Sequence, residues 1–195
     1  MVFEHVANAW CLELANSVPD RHERDRDRDW LADAETAGDW AASLGFELGR
    51  PLGDAERRAL IDLREAIFGM FAGRVDGASV DRRALRDITQ EHARGLGRHG
   101  YVAEADGFRR DWPDRWDGPA LRAAFASSAV ELMTDPRLDR VKQCPGCGWL
   151  FVDTSKNRSR RWCSMEMCGG RDKALRHYRK QRAEARAETR AEARS

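Results

Sequence analysis

Four of the five cysteines in this chain of 195 residues fall within 25 positions, at Cys144, Cys147, Cys163 and Cys168, while Cys11 stands far from them. Their spacing is C-x2-C, fifteen residues, then C-x4-C. Thiolates in such pairs are soft metal ligands, and Pro145-Gly146 lets the backbone turn tightly around the first two sulfurs. Four thiolates at about 2.3 Å complete a tetrahedron around Zn2+ and leave no position for water or substrate, so the site would be structural rather than catalytic. An iron–sulfur cluster is the other centre that four cysteines can hold, although its usual spacings differ. The opening Met1-Val2-Phe3-Glu4-His5 lacks the basic-then-apolar pattern of a secretory leader, and no apolar run nears the roughly 18 residues of a membrane span. A cytoplasmic location without membrane contact is therefore expected, where clustered thiols bind metal rather than form disulfides.

The cysteines need elements to hold them. Residues 149–153 are strand-like, 154–159 polar and turn-like, and 160–163 can return as a second strand. Ser164 is a candidate N-cap that would put Cys168 in the first turn of a C-terminal helix. Knuckle, hairpin and helix around one zinc describe a treble clef. So small a unit has too little apolar area to fold alone, and structural zinc supplies roughly 10–16 kcal/mol in comparable peptides, so residues 144–180 are expected to depend on the metal. Phased as a helix, Ala174, Leu175 and Tyr178 share one side, where they could pack on the hairpin. Lys173, Arg176, Arg179 and Lys180 fall opposite. With Lys156, Arg158, Arg160 and Arg161 they could form a cationic surface able to neutralise phosphates.

Net charge supports a division of labour. The whole chain balances 34 basic against 33 acidic residues, but residues 1–139 hold 19 basic and 27 acidic side chains and residues 140–195 hold 15 and 6. An acidic body at −8 thus carries a basic head at +9. The split favours a nucleic-acid partner for the head; docking of the head on the body is the rival explanation. The tail 181–195 repeats Ala, Glu and Arg, with Arg182, Arg186, Arg190 and Arg194 spaced by four and no Glu–Arg pair at helical contact distance. It reads as an arginine stripe or as a fraying end.

The body reads as helical. Val2, Phe3, Val6, Trp10 and Leu14 suggest a helix over 2–16, with Cys11 a small buried apolar group. The sign-alternating stretch 21–29 reads as a solvated loop, and 30–34 and 39–48 as short helical pieces. Asp54 is a candidate N-cap for a helix lined by Leu60, Leu63, Ile67, Phe68 and Phe71 and stopped at Gly73. Asp81 can cap another carrying Leu85, Ile88 and His92, ended by Gly95, Gly97 and Gly100. Asp106-Gly107 between 101–103 and Phe108 suggests a hairpin. A last helix starts at Gly118-Pro119, buries Leu121, Phe125, Leu132 and Met133, and ends at Asp135-Pro136. His92 and His99 read as structural or surface groups, and Asp111, Asp114 and Asp117 as parts of a loop anchored by Trp112 and Trp116. No phosphate loop, His-Glu metal motif or nucleophile elbow is present, so no enzyme is expected.

At Cys144-Pro-Gly-Cys147, Phe151-Val-Asp153-Thr-Ser155, Asn157-Arg-Ser-Arg160-Arg161-Trp162-Cys163-Ser-Met165 and Cys168-Gly169-Gly170-Arg171 the chain resembles the CGNR zinc-finger family. Gly170 stands where the family motif has Asn. Leu14-Ala-Asn16, Asp39-Trp40 and Leu63-Arg64-Glu65-Ala66 resemble the ABATE domain of stress-induced transcription regulators, and the combined resemblance covers about residues 5–180. It implies a mainly α protein: a helical body of two subdomains (1–139), a treble-clef-like finger (140–180) similar to nuclear-receptor DNA-binding modules, and the tail. The expected function is a zinc-binding transcription regulator. Cys144, Cys147, Cys163 and Cys168 would hold Zn2+. Lys156, Arg158, Arg160, Arg161, Arg171, Lys173 and Arg176 would contact DNA, and the body would sense a small-molecule effector or form a homodimer. A protein-interaction module with a purely structural finger is the alternative.

Overall fold

Leu60, Leu63, Ile67 and Phe71 recur every three or four residues, and all four are buried on one stripe of the longest body helix. That helix, α3 (Asp54–Val75), is one of six α-helices in a computed structural model that describes residues 3–22 and 29–192, with side chains described as far as Arg182. The others are α1 (Trp10–Ala15), α2 (Ala34–Ser43), α4 (Arg82–Gly95), α5 (Gly118–Thr134) and α6 (Gly170–Glu192). Two antiparallel hairpins complete the fold: β1 (Gly100–Glu104) with β2 (Gly107–Asp111), and β3 (Val141–Gln143) with β4 (Leu150–Val152). The architecture is mainly α. Most of the expected solvated loop, 23–28, lies outside the described residues, as do the tail's side chains beyond Arg182.

The centre of the body is α5. Ala120, Leu121, Ala124, Phe125, Ala129 and Leu132 are buried on several sides of it, as befits a helix packed against α1, α3 and α4 together. Its approach to α4 is close because Gly95 has no side chain; a Cβ there would stand 2.4 Å from that of Ala123. Trp40 of α2 stacks on Phe125 at 5.7 Å, and Phe46 meets the same ring edge-on at 5.4 Å. Asp33, Asp81 and Asp117 cap α2, α4 and α5 by accepting main-chain N–H groups, which fits their short carboxylates and extended backbone.

Several boundaries differ from the sequence reading. Residues 3–9 form an extended strap rather than the start of a helix. Asn8 takes a left-handed φ of 61°, and Glu13 Oε1 accepts the Ala7 N–H at 2.8 Å, so α1 begins only at Trp10. The apolar spacing that suggested a helix is satisfied by packing of the strap itself, with Phe3 meeting Trp30 edge-on at 5.1 Å. The pieces read at 30–34 and 39–48 are a turn followed by one continuous helix, α2, fixed by Asp33 as its cap. Gly53 rather than Asp54 is the N-cap of α3, with the Glu56 carboxylate reaching back to its N–H, and the helix runs through Gly73 to Val75.

The larger correction concerns the finger. β4 pairs with β3, in front of the knuckle, through Val141↔Val152, Lys142↔Phe151 and Gln143↔Leu150. Residues 160–163 form no strand. The sequence reading looked for β4's partner after the polar turn, whereas the knuckle itself is the hairpin's loop. The apolar side of the C-terminal helix does not pack back on this hairpin either. Leu175 and Tyr178 are exposed, and from Arg171 to Arg182 only Asp172 is half-buried.

Candidate metal centre

The knuckle closes because the Cys144 N–H donates to Trp149 O and the Gly148 N–H to Cys144 O, each at 2.8 Å. Gly148 sits at φ +72°, and a Cβ on it would fall 2.7 Å from Arg21 Cβ, so both conformation and space call for glycine. Ser164 then caps the turn Met165–Gly169 by accepting N–H groups of Glu166 and Met167, which swings Cys168 inward at the foot of α6. The N-cap read from the sequence is in place.

These two devices bring the four cysteine sulfurs within 4.8 Å of one another. Cys147 and Cys163 are 3.5 Å apart and Cys163 and Cys168 3.7 Å, all buried and none in a disulfide. Sulfurs on a tetrahedron of 2.3 Å bonds stand about 3.8 Å from each other, so the donor set fits a zinc-sized ion closely. The thiols also need one. Hydrogen bonds from Cys147 and Cys163 hold Cys144 far below the usual thiol range, while the bond to Cys144 pushes Cys163 up to about 12. One thiolate therefore opposes the next, and bringing all four to the ligating form requires a cation among them.

A polar network stiffens the loop between the pairs. The carboxylate of Asp153 is fully buried and accepts Lys142 Nζ at 2.6 Å, the Ser155 N–H at 2.9 Å and the Arg160 N–H at 3.0 Å. Burial alone would raise its pKa, but the Lys142 ammonium and the Ser155 bonds outweigh that and hold it well below the usual carboxylate range. Lys142 also donates to the carbonyls of Arg158 and Arg160.

The inner half of the finger is set into the body. The side-chain amide of Asn16, itself buried, donates to Leu150 O at 2.8 Å and accepts the Leu150 N–H at 2.9 Å. Trp149 Nε1 donates to Val18 O at 2.7 Å, and the Val152 N–H donates to Ala7 O at 2.9 Å. The Arg21 N–H reaches Cys147 O at 2.8 Å, while its guanidinium pairs with Glu65 at 2.8 Å and lies 4.0 Å over the Phe68 ring. Arg64 grips Asp29 with two bonds of 2.7 and 2.8 Å. Of the residues noted in the sequence as a motif, Asn16 bonds the finger directly at this joint with the body, while Glu65 holds Arg21, which bonds it, and Arg64 ties Asp29 and Glu65 beside it.

The seven cationic candidates do not form one class. Lys156, Arg158, Arg161, Arg171 and Lys173 are exposed. Arg176 is exposed and pairs with Asp172 at 2.9 Å. Arg160 is committed inside the finger: it donates to Trp162 O, Val6 O and Cys163 O and lies 4.5 Å over the Phe151 ring. Among the body candidates, His92 bonds Ser127 at 3.0 Å and His99 rests against Trp112, each held by a partner of its own. Asp117 caps α5 and Asp111 lies near Arg109 on the hairpin, so the three aspartates make no common site. Gly170, in place of the motif's Asn, begins α6, and a Cβ on it would meet no atom closer than 3.5 Å, so the position has room for a side chain.

A family model described as CGNR zinc finger matches residues 140–181, and one described as ABATE, "putative stress-induced transcription regulator", matches residues 8–136. Comparison with curated proteins returned no match. No helix among the described residues is long and apolar enough to cross a membrane.

Proposed function

The chain belongs to the ABATE family and carries a CGNR zinc finger after that domain; from that premise we propose that it is a cytoplasmic transcription regulator that binds DNA through a zinc-pinned basic head. Cys144, Cys147, Cys163 and Cys168 hold one Zn2+ as a closed structural site. The observation that carries the reading is α6. It leaves the cysteine cluster as a helix of 23 residues whose cationic side chains as far as Arg182, and Leu175 and Tyr178, are exposed, in a region whose net charge is +9. Had the basic head served to dock on the acidic body, these side chains would be covered. Lys156, Arg158, Arg161, Arg171 and Lys173 supply the phosphate and base contacts, joined by Arg176 once Asp172 yields it; Arg160 acts from within by holding the loop.

One finger is a small reader, so useful affinity calls for two chains or for added contacts along α6. The body's part is to sense a small effector or to pair two chains. Titration of the zinc-loaded chain with duplex DNA across a salt series tests the proposal. The expected result is binding that weakens steeply and linearly on a log–log salt plot. A flat response, or no binding with one zinc per chain present, overturns it.

A further inference from the structure

A cleft of about 430 Å³ opens on the body between α1, α5 and the strap of residues 3–9. Glu13 lines it although the residue is only 6% exposed. One of its carboxylate oxygens accepts the Ala7 N–H, and the other lies 3.7 Å from His5 Nδ1. Ser43 Oγ donates to Trp40 O at 2.6 Å and so accepts from His5 Nε2 at 2.9 Å; burial holds the His5 ring below its usual pKa, and in the neutral ring this favours, Nδ1 faces Glu13 without a proton. A neutral ring with a bare nitrogen is no counter-ion. Arg110, the nearest cation in the cleft, is already ion-paired with Glu131. Burial pushes Glu13 up to about 7, opposed by the main-chain amides of Ala7 and Asn8 and by the charge of Arg160.

The cleft's other features are complementary to this acid. The Trp10 indole is 40% exposed and is held edge-on by Phe46 at 5.0 Å. Leu44 and Ala124 add apolar wall. The Ser128 hydroxyl accepts the Cys11 N–H at 3.1 Å and bonds the Cys11 thiol as well, which fixes this wall of the cleft. A buried carboxyl without a cation of its own beside an exposed aromatic face attracts a positive charge twice, once through ion pairing and once through the ring's negative face. An anion would meet both Glu13 and Glu131.

We propose that this cleft binds a small organic cation bearing a flat apolar portion, an ammonium or amidinium group going to Glu13 and the apolar part to Trp10 and Leu44. The inference rests on the reading of the body as a ligand sensor and names the class of ligand. Its route to the finger is short. The strap residue whose N–H is held by Glu13, Ala7, gives its carbonyl to the Val152 N–H, and neighbouring Asn8 donates its side-chain amide to Val152 O at 3.1 Å. A ligand that draws on Glu13 therefore acts on the same two residues that support β4.

Phenethylamine titrated into the full-length, zinc-loaded chain tests the site, with 2-phenylethanol and 3-phenylpropionate as neutral and anionic comparators and two-dimensional NMR as the readout. The amine is expected to bind at least about tenfold more tightly than either comparator, and Glu13→Gln to remove roughly that factor, the scale of one charge-assisted hydrogen bond. Trp10→Leu keeps an apolar side chain but removes the aromatic face and is expected to weaken the amine about threefold. Should Glu13→Gln not fold, as judged by zinc content and amide dispersion, Trp10→Leu and the comparators decide. Equal binding of amine and alcohol, no binding of the amine, or amine binding unchanged in both variants overturns the proposal. Amine binding in the cleft with unchanged DNA affinity upholds it and removes the sensing role instead.

Discussion

The two cysteine pairs live in opposite surroundings. Cys144 and Cys147 stand on a hairpin whose Trp149, Leu150, Phe151 and Val152 are buried with the body's core, and Asn16, Val18 and Ala7 bond its main chain directly. Cys163 and Cys168 follow a loop in which Lys156, Asn157, Arg158 and Ser159 are exposed, and they lead into a helix with almost no described side chain covered. Apolar burial and main-chain hydrogen bonds therefore hold the inner half whether or not metal is present. Among the described residues the outer half is held by the sulfurs, the Ser164 cap, the Asp153 network and Arg160, whose guanidinium reaches Val6 O and lies over the Phe151 ring. A metal ion at the sulfurs would fasten a thinly held half to a well-supported one, which is narrower than folding the whole finger.

Metal removal separates the halves most strongly. Chelation, or Cys163→Ser, is expected to withdraw most of the roughly 10–16 kcal/mol that structural zinc supplies and to release the outer half. Hydrogen exchange should then show residues 154–182 exposed while the amides of Leu150 and Val152 stay protected. Loss of protection in β4 as well would mean that the two halves stand or fall together. Metal analysis should find one zinc per folded chain and little in Cys163→Ser.

The joint is the next most sensitive place. Asn16→Leu keeps the volume but strands the buried N–H and C=O of Leu150, and is expected to cost about 2–4 kcal/mol in thermal or urea unfolding. The effect should persist in the metal-free protein, because it acts on the inner half.

Asp153→Asn probes the network that ties the outer half to β3. It weakens the hold of Lys142 and of two main-chain N–H groups, for about 1–3 kcal/mol. Since the folded carboxyl sits below its unfolded range, its contribution is present above the unfolded pKa of about 4 and is lost as pH falls toward the depressed folded value. The native finger should accordingly loosen in acid below about pH 4, and Asp153→Asn should remove part of that dependence. A wild-type acid profile retained in full by the variant would place the titrating group elsewhere.

Lys173→Gln is the mildest change. It is expected to lower the magnitude of the salt slope for DNA by about 1 while shifting stability by less than about 0.5 kcal/mol. An unchanged slope would take Lys173 off the contacting face.

The cysteine spacing, the Ser164 and Asp81 caps and the Gly118-Pro119 start of α5 were legible because each depends on residues close in sequence, whereas the Asp117 cap was read as part of a loop. The β3–β4 pairing was hidden, since Val141-Lys142-Gln143 is three residues long and has no alternation to mark it, and its partner is chosen by the knuckle's closure. The joint was visible only as a motif. Nothing local in Leu14-Ala-Asn16 shows that the amide spans 134 positions to Leu150. Glu13 escaped notice for the opposite reason: it lies within an apolar helical run where an acid reads as the solvent face, yet α1 is buried around most of its circumference. Leu175 and Tyr178 had helical spacing without a surface to pack on, so periodicity there did not report burial.

At about 1.5 Å per residue the 23 residues of α6 make a rod of roughly 35 Å, close to one full turn of duplex DNA. The rod's main contact with another element is at its foot, next to Cys168. It behaves as a lever with its fulcrum at the sulfur cluster: a tilt of about 5° there sweeps the far end through roughly 3 Å. Small rearrangements of the knuckle are in this way converted into shifts comparable to the rise of a base pair.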